Sequence, residues 1–439
     1  MTAVRPLERG GTAALASGTV CVVRYHDGRA TPNWGGRATS LALGRVARRT
    51  GLEVATTVNG TVIVNGFHRA SGVERLRPAN VQRGIVRRWR AVAGHGVGSV
   101  EDEPRRFEAV RDEAVRLRRR VAAPDVRAVC SALGSVDEVW VNGEGDLILS
   151  ARRTTLWRTL VLIHLAADLG VPVRLVNSIL SGPPLGPIAA EVELAVHDAL
   201  ARCVAISYRD PTSLDEHRRR FPDLAATWCP DALFTWADDP LVHVAVDGAS
   251  PVPFGPLGEG LDPAVAKALG SMARAIVVSG SSAPVTGGDD RPAALRALLA
   301  RLSALGPPVV VAATCHGDAW MVDVARRYGI PAFGPEVPLA TALAVVGRAS
   351  VFVSGRYHPS ILASLGGTPL VLMSSNSHKT ASLPLVLGDR SRAEHPFLPC
   401  GEHLDALVGD VTAVLDEGAT RRDSRTYDVR ALAGKVGYR

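Results

Sequence analysis

Ala349-Ser350-Val351-Phe352-Val353-Ser354-Gly355-Arg356-Tyr357-His358-Pro359-Ser360-Ile361-Leu362-Ala363-Ser364-Leu365 is the stretch whose reading settles the fold. Its first five residues make an apolar run of strand length. Gly355 lets the backbone turn sharply, and Pro359 suits the first position of a helix, which 359–365 then continues. A strand that turns directly into a helix is half of a βαβ unit, and the pattern recurs along the chain. Residues 19–24, 139–141, 173–176, 204–207, 275–279, 309–312 and 369–372 read as further strands. Residues 39–49, 156–169, 189–203, 292–305, 318–328 and 404–415 read as helices. The alternation predicts parallel sheets with helices on both faces.

Between 238 and 263 the alternation stops, and Pro240, Pro251, Pro253, Pro256 and Pro263 are interspersed with glycines. Such punctuation reads as a linker. The expected organisation is an α/β lobe over 1–240, a linker over 241–270, a second α/β lobe over 271–400, and a C-terminal helix and tail over 401–439. The charged stretch 101–120 is either a helical insertion or an exposed loop.

With 439 residues, 46% hydrophobic and 21% charged, the chain can bury its cores without disulfides or metals, which excludes fibrous and globally disordered classes. The formal charge is +7, but only Lys267, Lys379 and Lys435 are lysines and the arginines are scattered. Arg87-Arg88-Trp89-Arg90 and Arg118-Arg119-Arg120 read as solvated helix faces. No nucleic-acid partner is expected, while a basic field suits an anionic substrate. The six cysteines are isolated, show no zinc spacing and read as small core residues. That usage, with no signal-peptide shape and no apolar run of membrane-spanning length, points to the cytoplasm.

In open parallel sheets, ligands bind beyond the C-terminal ends of the strands. After 349–353, Ser354 and Gly355 lead to Arg356, which can grip a carboxylate or phosphate with two hydrogen bonds, and to His358, which can exchange a proton near neutral pH. Lys379 follows the next strand, at the same sheet edge. Arg209 follows 204–207 and faces the cleft, and Asp210 caps the helix after it, with Pro211 at its start. Asp231 is a hinge cap or a ligand contact. In the first lobe, Asn33-Trp34-Gly35-Gly36 and Asn142-Gly143-Glu144-Gly145-Asp146 can turn backbone N–H groups toward an anion or a hydroxyl. No dinucleotide fingerprint, Walker loop, nucleophile elbow or zinc-protease motif is present, and no metal is expected.

Taken in order, Asn33-Trp34-Gly35, Asn142-Gly143-Glu144-Gly145, Arg209-Asp210-Pro211-Thr212-Ser213, Pro230-Asp231, Gly355-Arg356-Tyr357-His358, Gly366-Gly367-Thr368-Pro369 and Lys379 resemble the motif series of the polysaccharide pyruvyl transferase family over residues 20–385. The resemblance implies a GT-B-like fold, with two Rossmann-like lobes whose parallel sheets face a central cleft. It implies transfer of a pyruvyl group from phosphoenolpyruvate, as donor substrate and with no cofactor, to hydroxyls of a sugar-containing acceptor. His358, Arg356 and Lys379 would be catalytic. Arg209, Asp231, Asn33, Gly35, Asn142, Gly143, Glu144, Ser354 and Gly355 would bind the substrates. Two positions depart from the family pattern: Gly36-Arg37 replace an acidic residue after the first loop, and Glu144 stands where glycine is usual. Both lie on the expected acceptor side. The rival expectations are a glycosyltransferase of the same scaffold that uses a sugar nucleotide, and a diverged relative that binds an anion without turnover.

Overall fold

Strand β2 (Gly18–Val23) is buried along its last four residues and takes parallel neighbours on both sides. The computed structural model describes residues 4–6, 18–23, 32–58, 107–119, 124–239, 275–283, 290–389, 393–420 and 427–438. Around β2 stands a seven-stranded sheet. Its order is β1 (Val4–Pro6), β3 (Leu52–Val58), β2, β4 (Glu138–Glu144), β5 (Val173–Ser178), β6 (Ala205–Tyr208) and β7 (Thr227–Trp228). All pairings are parallel except β1 with β3. A second, all-parallel sheet has the order β10 (Ala332–Phe333), β9 (Val309–Ala312), β8 (Ile276–Ser281), β11 (Val351–Gly355) and β12 (Leu370–Leu372). Each sheet is the floor of one α/β lobe.

The helices carry the chain between parallel strands. In the first lobe they are α1 (Trp34–Arg49), α2 (Val110–Arg119), α3 (Pro124–Gly134), α4 (Thr154–Asp168), α5 (Ala190–Leu200) and α6 (Pro211–Arg220). The second lobe has α7 (Arg291–Ser303), α8 (Ala319–Arg327), α9 (Leu339–Gly347), α10 (Tyr357–Leu365), α11 (Lys379–Leu387) and α12 (Glu402–Thr420). Of the two readings of 101–120, the helical one holds over the described part: Val110, Ala114 and Leu117 of α2 are buried in the first lobe's core, against α4. The spacing 0, 4, 7 is one face of a helix, and Arg118 and Arg119 stand exposed on the other. The expected linker and the Arg87–Arg90 cluster lie outside the described residues.

One core unites the lobes. Trp34, Val22 and Trp140 of the first lobe belong to the same buried cluster as Phe352, Ile361 and Leu372 of the second. Trp34 stacks on Phe333 at 5.6 Å and donates its indole N–H to the Pro335 carbonyl at 3.2 Å. The C-terminal tail crosses back: α13 (Val429–Lys435) packs on the 3-10 helix Ala232–Asp238, and the buried Tyr438 ring meets Trp140 edge-on. Among the described residues no helix is long and apolar enough to cross a membrane. The six cysteines are free. They are not uniformly core residues, since Cys400 is exposed and Cys315 lies at a strand end facing the cleft.

Candidate functional site

The C-terminal ends of the central strands of both sheets open into one cavity of about 210 Å³. Arg356 is the N-cap of α10, so the helix starts at Tyr357, and Pro359 is its third residue rather than its first. The Arg356 guanidinium forks onto Asp318, from Nε at 3.1 Å and from Nη2 at 2.5 Å. Asp318 is buried, and burial alone would pull Arg356 down, but this carboxylate raises its pKa above the ordinary value. Gly280, at the end of β8, makes room: a Cβ there would collide with the Asp318 carboxylate.

His358, the second residue of α10, meets the first lobe. Its Nε2 lies 2.7 Å from Nη1 of Arg209 and 3.3 Å from Oδ2 of Asp231. Unprotonated, Nε2 accepts from Arg209; protonated, it donates to Asp231. Arg209 follows β6 directly, is buried, pairs with Asp231 at 3.1 Å and lies over the Tyr357 ring at 4.1 Å. Burial would raise the Asp231 pKa, yet the His358 and Arg209 charges hold it below the usual carboxylate value. Gly35 allows the close approach of the lobes, because a Cβ there would sit 2.7 Å from Nδ1 of His358. Asn33 is the N-cap of α1 and accepts the Gly36 N–H, so Gly35 and Gly36 form the first helical turn and not the expected loop.

Lys379 opens α11 and reaches the cavity from the far side. It donates to Ser282 and to Asn376, both at 2.8 Å. Burial, then Arg209, Arg356 and Arg153, hold its ammonium well below the usual lysine pKa. The preceding His378 ties the lobes a second time: its Nε2 lies 3.0 Å from Oγ of Ser213 and 3.3 Å from Oδ1 of Asp210. Asp210 is the N-cap of α6, accepting the Ser213 N–H at 2.8 Å. Its burial pushes its pKa up, but His378 and Ser213 bring it below the usual value.

The two buried carboxylates set an acid limb for stability. A carboxyl whose folded-state pKa is depressed adds stability that is fully present above its unfolded value, about 3.9, and is lost as pH falls through the folded value. The urea midpoint therefore falls as pH drops below about 4. Asp210→Asn keeps the cap and flattens this limb; an unchanged limb in that variant removes the carboxylate from the account.

Of the residues singled out in the sequence, Asn33, Gly35, Glu144, Arg209, Arg356, His358 and Lys379 line the cavity. Asp231, Asn142, Gly143, Ser354 and Gly355 stand behind its wall. Asn142 is buried in an amide network, and Gly143 is pressed on Ser178. Ser354 accepts the Arg356 N–H at 3.0 Å, and Gly355 packs on Ser281 and the Ser374 carbonyl. Arg153, Ser282, Thr314 and Cys315 also line the cavity and were missed, while Asp146, the last residue of the quoted first-lobe turn, lines it as well. Ser282 directly follows β8, and Thr314 lies two residues beyond β9, so the strand-end rule could have found them. Arg153 has no such signal; it is tied by its side chain to the carbonyls of Gly145 and Asp146. Among the described residues no three of His, Cys, Asp and Glu are grouped to hold a metal ion.

No protein-family model matches the chain, and no curated protein does. Its structure is similar to that of OtsA in its apo form, at 12% identity over 95% of each chain, with a TM-score of 0.51. It is also similar to the Methanocaldococcus jannaschii UDP-GlcNAc 2-epimerase in complex with UDP-GlcNAc and UDP, at 9% identity over 95% of this chain and 97% of that one, with a TM-score of 0.48. A third is Arabidopsis thaliana UGT89C1 complexed with UDP, at 12% identity over 95% of this chain and 99% of that one, with a TM-score of 0.46. None of these three is a pyruvyl transferase, so the family resemblance gains nothing from them. At such identities the likeness is one of fold, and with the two parallel sheets and their shared cleft it makes this chain a protein of the GT-B fold.

Proposed function

We propose that the protein is a transferase whose cleft holds phosphoenolpyruvate and passes its pyruvyl group to hydroxyls of a sugar-containing acceptor. The observation that supports this reading is the meeting of Arg209, Arg356, His358 and Lys379, from three strand ends in two lobes, on one polar cavity. Phosphoenolpyruvate carries a carboxylate and a phosphate close together, and the phosphate alone bears about −1.5 to −2 charges at neutral pH. Arginine forks and an ammonium match both groups, with each charge-assisted bond worth roughly 1.5–3 kcal/mol. A cavity of about 210 Å³ is compact beside the roughly 300–1,000 Å³ of sites for larger ligands.

In the transfer, His358 protonates the enol methylene and leaves an oxocarbenium-like centre at the neighbouring carbon. An acceptor hydroxyl attacks that carbon, phosphate leaves, and a second hydroxyl closes the ketal. Asp231 behind Nε2 orients the ring.

A second reading is an enzyme of the same scaffold that acts on a sugar nucleotide, and two of the similar structures were solved with UDP bound. At that distance the likeness speaks for the fold, so the choice rests on ligands. Thermal shifts with phosphoenolpyruvate, UDP and UDP-N-acetylglucosamine separate the readings, because a ligand at 100 times its Kd stabilises by roughly 2.7 kcal/mol. The proposal expects the large shift from phosphoenolpyruvate. A shift from the uridine nucleotides alone selects the second reading. Binding of phosphoenolpyruvate without turnover on any sugar selects an anion-binding relative.

A further inference from the structure

Three non-glycine residues among those described have a left-handed backbone: Glu144 (φ +41°), Asn177 (φ +53°) and Leu398 (φ +52°). A side chain rarely adopts this region, and such strain persists where the surroundings hold it. Glu144 and Asn177 are joined. Asn177 sits where the β5–β6 register shifts, and its Nδ2 donates to Oδ1 of Asn142 at 3.3 Å. Nδ2 of Asn142 donates in turn to Oε1 of Glu144 at 3.0 Å. The far end is anchored as well, since Oδ1 of Asn177 accepts the Ala232 N–H at 2.9 Å and the Tyr438 hydroxyl at 3.4 Å. Both asparagines are buried, so the relay is fixed before any ligand arrives. It ends on a carboxylate that lines the cavity on the first-lobe wall, where a Cβ added to Gly145 would stand 4.0 Å from Nζ of Lys379. Glycine would occupy this left-handed position without strain, and a glutamate stands there instead.

We infer that Glu144 is a further catalytic residue, the base that takes the proton of the acceptor hydroxyl, aimed by the Asn177–Asn142 amide relay. The inference rests on the proposed pyruvyl transfer. As the acceptor oxygen bonds to C2 of phosphoenolpyruvate, its proton passes to the Glu144 carboxylate, and the C2=C3 electron pair takes a proton from His358 to form the methyl group. The bond from C2 to the phosphate oxygen then breaks, and phosphate leaves with that electron pair. A second hydroxyl bonds to C2, and its proton departs on the phosphate. Glu144 returns its proton to solvent and His358 regains one, so the cycle closes.

The test uses Glu144→Gln and Glu144→Gly in the full chain. Phosphoenolpyruvate binding is measured by calorimetry. Phosphate release is measured with glucose, galactose, mannose and N-acetylglucosamine, with water as an ever-present acceptor. Both variants are expected to bind phosphoenolpyruvate as the wild type does and to release phosphate at least about 100-fold more slowly. Glu144→Gly relieves the left-handed backbone but takes the acceptor from the Asn142 amide, whereas Glu144→Gln keeps an amide oxygen there, so a melting temperature close to wild type in Glu144→Gln shows that its inactivity is not a loss of folding. Turnover by either variant close to the wild-type rate overturns the assignment. So does loss of phosphoenolpyruvate binding in both variants, which would make Glu144 a donor-site residue. A wild type that binds phosphoenolpyruvate and releases no phosphate with any of these acceptors overturns it too, because a carboxylate base also acts on water. A wild type that does not bind phosphoenolpyruvate overturns the donor reading instead.

Discussion

Replacing Asp231 by alanine lowers the stability of the protein by about 3–5 kcal/mol. The pair it breaks is desolvated on both sides, with side-chain exposures of 2% for Arg209 and 0% for Asp231. Its carboxylate also accepts the Leu233 N–H at 2.9 Å and caps the 3-10 helix on which the C-terminal tail packs. Without it the Arg209 guanidinium stays buried with no compensating charge, and an unpaired buried ion costs far more than the pair itself contributes. The same logic makes a second variant informative. Removing both charges, as Arg209→Met with Asp231→Leu, recovers most of the lost stability while removing one of the cleft's first-lobe cations. Urea titrations of the three proteins measure this. An Asp231→Ala protein with the wild-type midpoint means that water reaches the pair.

His358→Ala lowers the rate of transfer by about 10²–10⁴-fold, the usual contribution of a positioned general acid. Phosphoenolpyruvate binding changes little, because Arg356 and Lys379 are held by Asp318, Ser282 and Asn376 and not by the imidazole. The rate is read as phosphate release at saturating donor, so that a binding defect cannot imitate a chemical one. Undiminished turnover removes His358 from the acid role.

The strand-end rule found Arg209, Arg356, His358 and Lys379 because it needs only local information. A β-rich run announces its own end, and parallel connectivity sends every such end to the same edge of its sheet. Asp210 was legible for the same reason, since an Asp-Pro step before a helix is a local cap. What failed to show in the sequence is long-range. Arg153 reaches the cavity from the segment leading into α4, and Asp318 meets Arg356 across 38 residues of chain. α9, apolar nearly throughout, carries little helical periodicity because it is buried on all sides. The return of Tyr438 to Asn177, 261 residues apart, has no local signature. The motif Asn142-Gly143 misled for a related reason: Gly143 allows close contact with Ser178, and Asn142 turns inward to its amide partner, so neither reaches the cavity itself.

A calorimetric titration of phosphoenolpyruvate into the wild-type protein, repeated with Arg356→Ala and with UDP-N-acetylglucosamine as the competing ligand, tests the cleft directly. A single saturable site for phosphoenolpyruvate, lost when the Arg356 fork is removed and untouched by UDP-N-acetylglucosamine, is the predicted result. No binding heat from phosphoenolpyruvate, with saturable binding of UDP-N-acetylglucosamine at one site, contradicts it.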